Sequence, residues 1–233
     1  MESNPNIKTW TPATIVMVVL IILGGAVALY RMMFGLGAAT NMNDGYPWGF
    51  WLGMDVLGGI AMAAGGFIIA CAVYLFNWKK YRPIVRPAIL TAFLGYLMAV
   101  AAIFLDIGHP FRLPHPMFMW QYHSVMWVVA MHVIFYTTTL ALEFSPMLFE
   151  RLGWEKARSA VGKVMVGAVI FGVMLSTLHQ SSLGAVFLIA PEKMSPLWWD
   201  TKMPFHFLVS AVAMGLSMVS FETMLSGKFL QHK

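Results

Sequence analysis

The chain has 233 residues, 59% of them hydrophobic and 11% charged, and a mean hydropathy of +0.72. That balance supplies too little polar surface for a water-soluble domain of this size and indicates a polytopic membrane protein. A single cysteine, Cys71, excludes a disulfide framework, a CxxC site and a four-cysteine iron–sulfur cluster within the chain.

After a short polar lead-in, apolar runs long enough to cross ~30 Å of hydrocarbon follow at about 12–34, 49–76, 88–107, 123–142, 164–187 and 204–226. They are continuously apolar and do not alternate with period two, and unpaired backbone is intolerable in lipid, so each reads as a helix. The expected fold is all-α: a transmembrane bundle of six helices forming a single integral membrane domain over 1–233. Lys79, Lys80, Arg82 and Arg86 follow the second run, Arg151, Lys156, Arg158 and Lys163 the fourth, and Lys228 and Lys233 the sixth. The positive-inside rule puts these connections and both termini in the cytoplasm. The opposite connections hold only Arg112, Lys193 and Lys202 among many aromatic and proline residues, an interfacial belt. The pI of about 9.4 therefore reports topology and not nucleic acid.

In the second run, Gly58, Gly59, Ala63, Gly65 and Gly66 leave little side-chain bulk. This permits close helix approach or leaves room for a flat ring or an isoprenoid tail. Ionisable groups inside membranes are costly and mark functional cavities or paired sites. Arg31, Asp55, Asp106, His123, His179 and His206 all fall toward the external ends of their helices, whereas His109, His115 and His206 also fit a plain interfacial role. In "STLHQSSLG", residues 176–184, Ser176 and His179 share a helical face while Gln180 and the next serines approach the interface. Along the fourth run His132, Tyr136, Thr139 and Glu143, spaced 4, 3 and 4, form one polar stripe. It is either interhelical hydrogen-bonding glue or a proton path, with Glu222 in the same half. His206, Ser210, Ser217 and Ser220 make a weaker polar face on the sixth run. His123 and His132, nine residues apart, point to opposite faces, so two stacked bis-histidine haems are disfavoured, although one between helices is not excluded.

The segments "PWGFWLGMDVLGGIAMAAGGF" (47–67), "LDIGHPFR" (105–112) and "LHQSSLGAVFLIAPEKMSPLWW" (178–199) together resemble the NrfD/polysulfide reductase membrane-subunit family, within it the branch of HybB hydrogenase anchors and HmcC-type subunits. That resemblance implies a quinone-reactive subunit, not catalytic alone, of a respiratory oxidoreductase complex in the bacterial inner (cytoplasmic) membrane. It implies menaquinone or another quinone, without haem or an iron–sulfur cluster of the chain's own. It also implies a ferredoxin-like iron–sulfur subunit docked on the periplasmic face and linked to catalytic or multihaem cytochrome c subunits. By position, the resemblance makes His123, Asp55, His179 and Asp106 the expected quinone-site residues. The residues themselves add Arg31 beside them and, where the stripe is a path and not glue, His132, Tyr136, Thr139, Glu143 and Glu222 as the proton path. Family members carry eight to ten helices and six are read here, so the later ones are missing, as in the N-terminal part of such a unit, supplied by another polypeptide, or absent in this variant. Two other classes fit the polar residues: a haem b cytochrome anchor and a proton-coupled transporter, the latter expected to carry its site at midplane.

Overall fold

A computed structural model describes residues 11–43, 45, 53–189, 192 and 195–229, with the side chains of Asp55, Leu57 and 226–229 outside that description. The first helix, α1 (Pro12–Phe34), starts where local chemistry directs: the Thr14 amide donates to the Thr11 hydroxyl at 3.2 Å, and Pro12 fills the first turn. It stops at Gly35, whose φ of +89° suits glycine alone, and a short α2 (Leu36–Thr40) follows.

The second apolar run is irregular. A π-helical stretch, Gly53–Gly59, leads into α3 (Ile60–Ala63) and α4 (Gly65–Ala70), and a second π-helical stretch closes it at Cys71–Leu75. Four long helices complete the fold: α5 (Arg82–Asp106), α6 (Val125–Leu152), α7 (Glu155–Val186) and α8 (Met203–Phe229). Among the described residues five helices are long and apolar enough to cross a membrane, and Ile60–Leu75 is a shorter apolar helix. The protein is a multi-pass, all-helical membrane protein.

At the connection between α6 and α7 the helices run well beyond the sequence expectation. The charged segment around 143–163, expected as a connection, is mostly helix, and only Gly153 and Trp154 separate α6 from α7. Glu, Arg, Lys and Ala are good helix formers, so both helices continue past the apolar region. Gly153, at φ +72°, makes the turn. At this basic end Arg86 and Arg158 reach Glu150 at 2.8 and 3.5 Å and link α5, α6 and α7. All three side chains are substantially exposed, so this network contributes little stability.

The glycines of the second run fall into two kinds by what surrounds them. A Cβ on Gly65 would stand 2.5 Å from the Gly215 carbonyl oxygen, and one on Gly66 would stand 2.3 Å from Ala92 Cβ. α8 and α5 therefore touch α4 backbone to backbone, the small-residue packing that replaces hydrophobic driving force in lipid. Gly58 would meet nothing within 4 Å, and Gly59 only its own preceding turn.

Candidate functional site

The middle of the bundle, where α5, α6 and α7 meet, holds a cluster of buried polar side chains. Tyr96 (α5), Tyr136 (α6), His179 and Gln180 (α7) are each at most 1% exposed, Ser176 is completely buried, and Glu143 and Thr139 are nearly so. The Tyr96 and Tyr136 rings meet edge to face at 4.6 Å between centroids. His179 lies 6.0 Å from the Tyr96 ring and 6.4 Å from that of His132. The stripe on α6 thus faces the bundle interior. Gly172 of α7 makes this possible, since a Cβ there would be 2.9 Å from Glu143 Oε1 and 3.2 Å from Thr139 Cγ2.

Many of these polar atoms have no hydrogen-bond partner among the described residues: the Tyr96 and Tyr136 hydroxyls, Ser176 Oγ, both His179 nitrogens, His132 Nδ1, Gln180 Nε2 and Glu143 Oε2. Ser176 lies close enough to both phenols to interact with them, yet neither contact has hydrogen-bond geometry. An unsatisfied buried polar group costs about 1–3 kcal/mol. Several in one place approach the whole stability of a typical domain, ~5–15 kcal/mol. The cluster therefore calls for water or a bound molecule as partner.

The facing histidines raise the question of haem. Leu175 and Leu183, one turn to either side of His179, pack into the core with Tyr96, Tyr136 and Leu140. Core leucines thus occupy both flanks of His179 along α7, a poor fit for a flat porphyrin seated on the pair.

Other expected site residues lie elsewhere. His123 is exposed in a turn against Tyr122, at 4.2 Å between centroids, and α6 begins only at Val125 with Ser124 as its N-cap. Asp106 is the last residue of α5. Asp55 falls on the first π-helical stretch, but its side chain lies outside the described residues. Arg31 is buried and is the point where α1 holds the bundle: its Nε donates to the Leu105 carbonyl at 2.6 Å and a terminal nitrogen to that of Ile107. A guanidinium at these last carbonyls of α5 complements the negative end of the helix. Glu222 accepts from the Thr91 hydroxyl at 2.6 Å, which joins α8 to α5. His206 is exposed, and Ser210, Ser217 and Ser220 donate back to carbonyls of their own helix.

On the opposite face of α5 an apolar groove of about 440 Å³ runs between α5, the second run and α8, lined by Gly59, Ala63, Thr91, Met98, Leu105 and Met218 among others. Thr91 to Leu105 covers roughly 21 Å of helix rise. Ala63 and Ala99 border the groove and also belong to the core that holds Tyr96, so a wall of small side chains separates groove from cluster.

The family model for polysulphide reductase, NrfD, matches residues 38–233. The chain belongs to the NrfD family. A protein of Nitratidesulfovibrio vulgaris is 46% identical over 99% of this chain and 60% of its own length. The probable Ni/Fe-hydrogenase 2 b-type cytochrome subunit of Escherichia coli is 39% identical over 87% of this chain and 53% of its own. The menaquinone reductase integral membrane subunit of N. vulgaris is 32% identical over 70% of this chain and 40% of its own. The chain spans about half the length of these curated relatives. No solved structure gives a significant match.

In this NrfD-family chain the sequence pointed to the α6 stripe and to His179, but assigned them to separate sites, whereas the bundle joins them. Gln180, expected to approach the interface, is buried, because it lies one turn after Ser176 on the face that α7 turns to the core, with Leu183 and Gly184 following on the same side. Tyr96 was not singled out at all. Its signal was faint: a tyrosine with Ala92 and Ala99 on its own face, in a helix that is otherwise apolar.

Proposed function

We propose that the chain is the quinone-reactive membrane subunit of a respiratory oxidoreductase complex in the bacterial cytoplasmic membrane. The groove on α5 carries this reading: it is apolar and follows roughly 21 Å of the helix, as an isoprenoid tail requires, and its Leu105 end adjoins Asp106 and the Arg31-capped end of α5. The names of the N. vulgaris menaquinone reductase subunit and the E. coli hydrogenase subunit support it. Quinone, when bound, takes up or gives back two electrons and two protons.

The residues of this chain divide the remaining work. Asp106, Asp55 and His123, at the aromatic end of the bundle, orient the head group and exchange its protons, while Arg31 fixes the end of α5 beside them. His179 is the innermost member of this group and the first of a second group, in which His132, Tyr136, Thr139 and Glu143 lead protons toward the basic end, with Glu222 at the same depth. Electrons come from, or return to, a ferredoxin-like iron–sulfur subunit on the periplasmic face, itself linked to catalytic or multihaem cytochrome c subunits. The chain holds no haem or cluster in this scheme, and its 233 residues act as one membrane domain of a larger family unit.

Substituting Ala102, which lines the groove, by Trp tests the reading. The assembled complex is expected to lose quinone turnover at least tenfold, through a raised KM, while its iron–sulfur centres still accept electrons from a soluble donor. Undiminished quinone turnover in Ala102→Trp would sink the groove as the binding site.

A further inference from the structure

Tyr96 is the member of the buried cluster that neither the histidines nor the α6 stripe explains. It is fully buried, its ring contacts both Tyr136 and His179, and its hydroxyl has no hydrogen-bond partner among the described residues. Ser176, from α7, sits close to both phenols.

The stripe on α6 is incomplete as a path. His132 to Glu143 spans eleven residues, roughly 16 Å of helix. Between them Thr139 has already committed its hydroxyl proton to the Phe135 carbonyl at 2.9 Å, which leaves Tyr136 as the one free donor on α6 along that stretch. Tyr96 and Ser176 enter from the neighbouring helices at this level. His179 is suited to the upper end: a neutral imidazole carries one donor and one acceptor. Among the described residues no group fixes which nitrogen is which, since both are unpartnered.

We propose that Tyr96 is the proton-relay residue connecting His179 to Tyr136 and Glu143, with Ser176 and Gln180 holding the water that bridges them. A proton arriving at the Tyr96 oxygen from the Ser176 side is matched by release of the phenol's own proton to a His179 nitrogen, so Tyr96 ends as the neutral phenol; the reverse sequence carries protons the other way. The inference rests on the quinone-subunit reading.

The test uses the intact complex with Tyr96→Phe, which keeps the ring and its contacts and removes only the hydroxyl. Assembly should match the wild type. With menadione as acceptor and a soluble reductant, turnover should fall about a hundredfold or more, within the ~10²–10⁴-fold span of proton-transfer groups. KM should stay unchanged and the solvent deuterium isotope effect should rise. Wild-type turnover and isotope effect in Tyr96→Phe, with Tyr96→Leu impaired, would make Tyr96 a packing residue and overturn the proposal. If the wild-type complex does not react with menadione, the quinone reading fails, and infrared spectroscopy still decides the relay. The Tyr96 C–O–H band, identified against Tyr96→Phe, should shift in Glu143→Gln and in His179→Gln. A band indifferent to both overturns the relay.

Discussion

α1 and α7 are both long apolar helices, and the bundle treats them in opposite ways. α1 is the most apolar of the five candidate spans, none of its most apolar stretch is buried, and it meets the bundle through Arg31. α7 is less apolar, yet it buries Ser176, His179 and Gln180 along with Leu175 and Leu183. In water the most apolar segment is the one expected inside. In lipid, which is as apolar as leucine, exposure of α1 costs nothing, and the interior is chosen by small residues and by polar groups that lipid cannot satisfy. Hydropathy therefore finds the spans, and their polar residues find the core.

The contrast predicts a graded set of outcomes. The largest belongs to close packing: Gly215→Leu would drive a side chain into the backbone of Gly65, whose nitrogen lies 2.4 Å from the Cβ position. Overpacking of this kind costs about 3 kcal/mol or more. The variant should fail to yield a monodisperse complex, and a normal size-exclusion profile would mean α8 and α4 do not meet as described.

Next comes the polar interior. Glu143→Gln, nearly isosteric, should leave the complex assembled while its quinone turnover falls about a hundredfold, at the low end of proton-transfer effects. The membrane potential generated per electron in proteoliposomes should fall. An unchanged potential would remove Glu143 from the path and leave the stripe as interhelical glue.

The smallest effects belong to α1. Arg31→Met removes hydrogen bonds from a charged donor, worth roughly 1.5–3 kcal/mol. It should lower the thermal midpoint of the purified complex by a few degrees. Leu20→Ala, on the exposed face of the same helix, should change stability by no more than about 0.5 kcal/mol. Equal effects of the two would mean that α1 is held along its length and not at one point.

How much of this was legible beforehand depends on the kind of signal. Apolar runs announce membrane helices because the bilayer sets their length, and the 4, 3, 4 spacing of the α6 stripe fixes a shared face before any partner is known. The pairing of that face with Gly172 was not legible, because a glycine in a membrane helix fits many neighbours. His123 looked as strong as His179, since sequence gives the depth of a residue and not its side of the helix cap. The structure leaves His123 exposed before Ser124 and seals His179 completely. Tyr96 escaped notice for a related reason: one hydroxyl in an apolar helix has no periodicity to betray it.

The two-residue link at Gly153 also bears on how the chain enters the bilayer. A carboxyl side chain inserted at the centre of a lone helix costs ~2.5–3.5 kcal/mol on insertion scales, and Glu143, just past the apolar run, meets a smaller share of that cost. A hairpin of 28 and 32 residues joined by so short a turn can enter as a unit, with Glu143 already set against Gly172 and never facing lipid. The glycine that turns the chain between α6 and α7 thus lowers the insertion barrier for the least lipid-tolerant residue of the stripe.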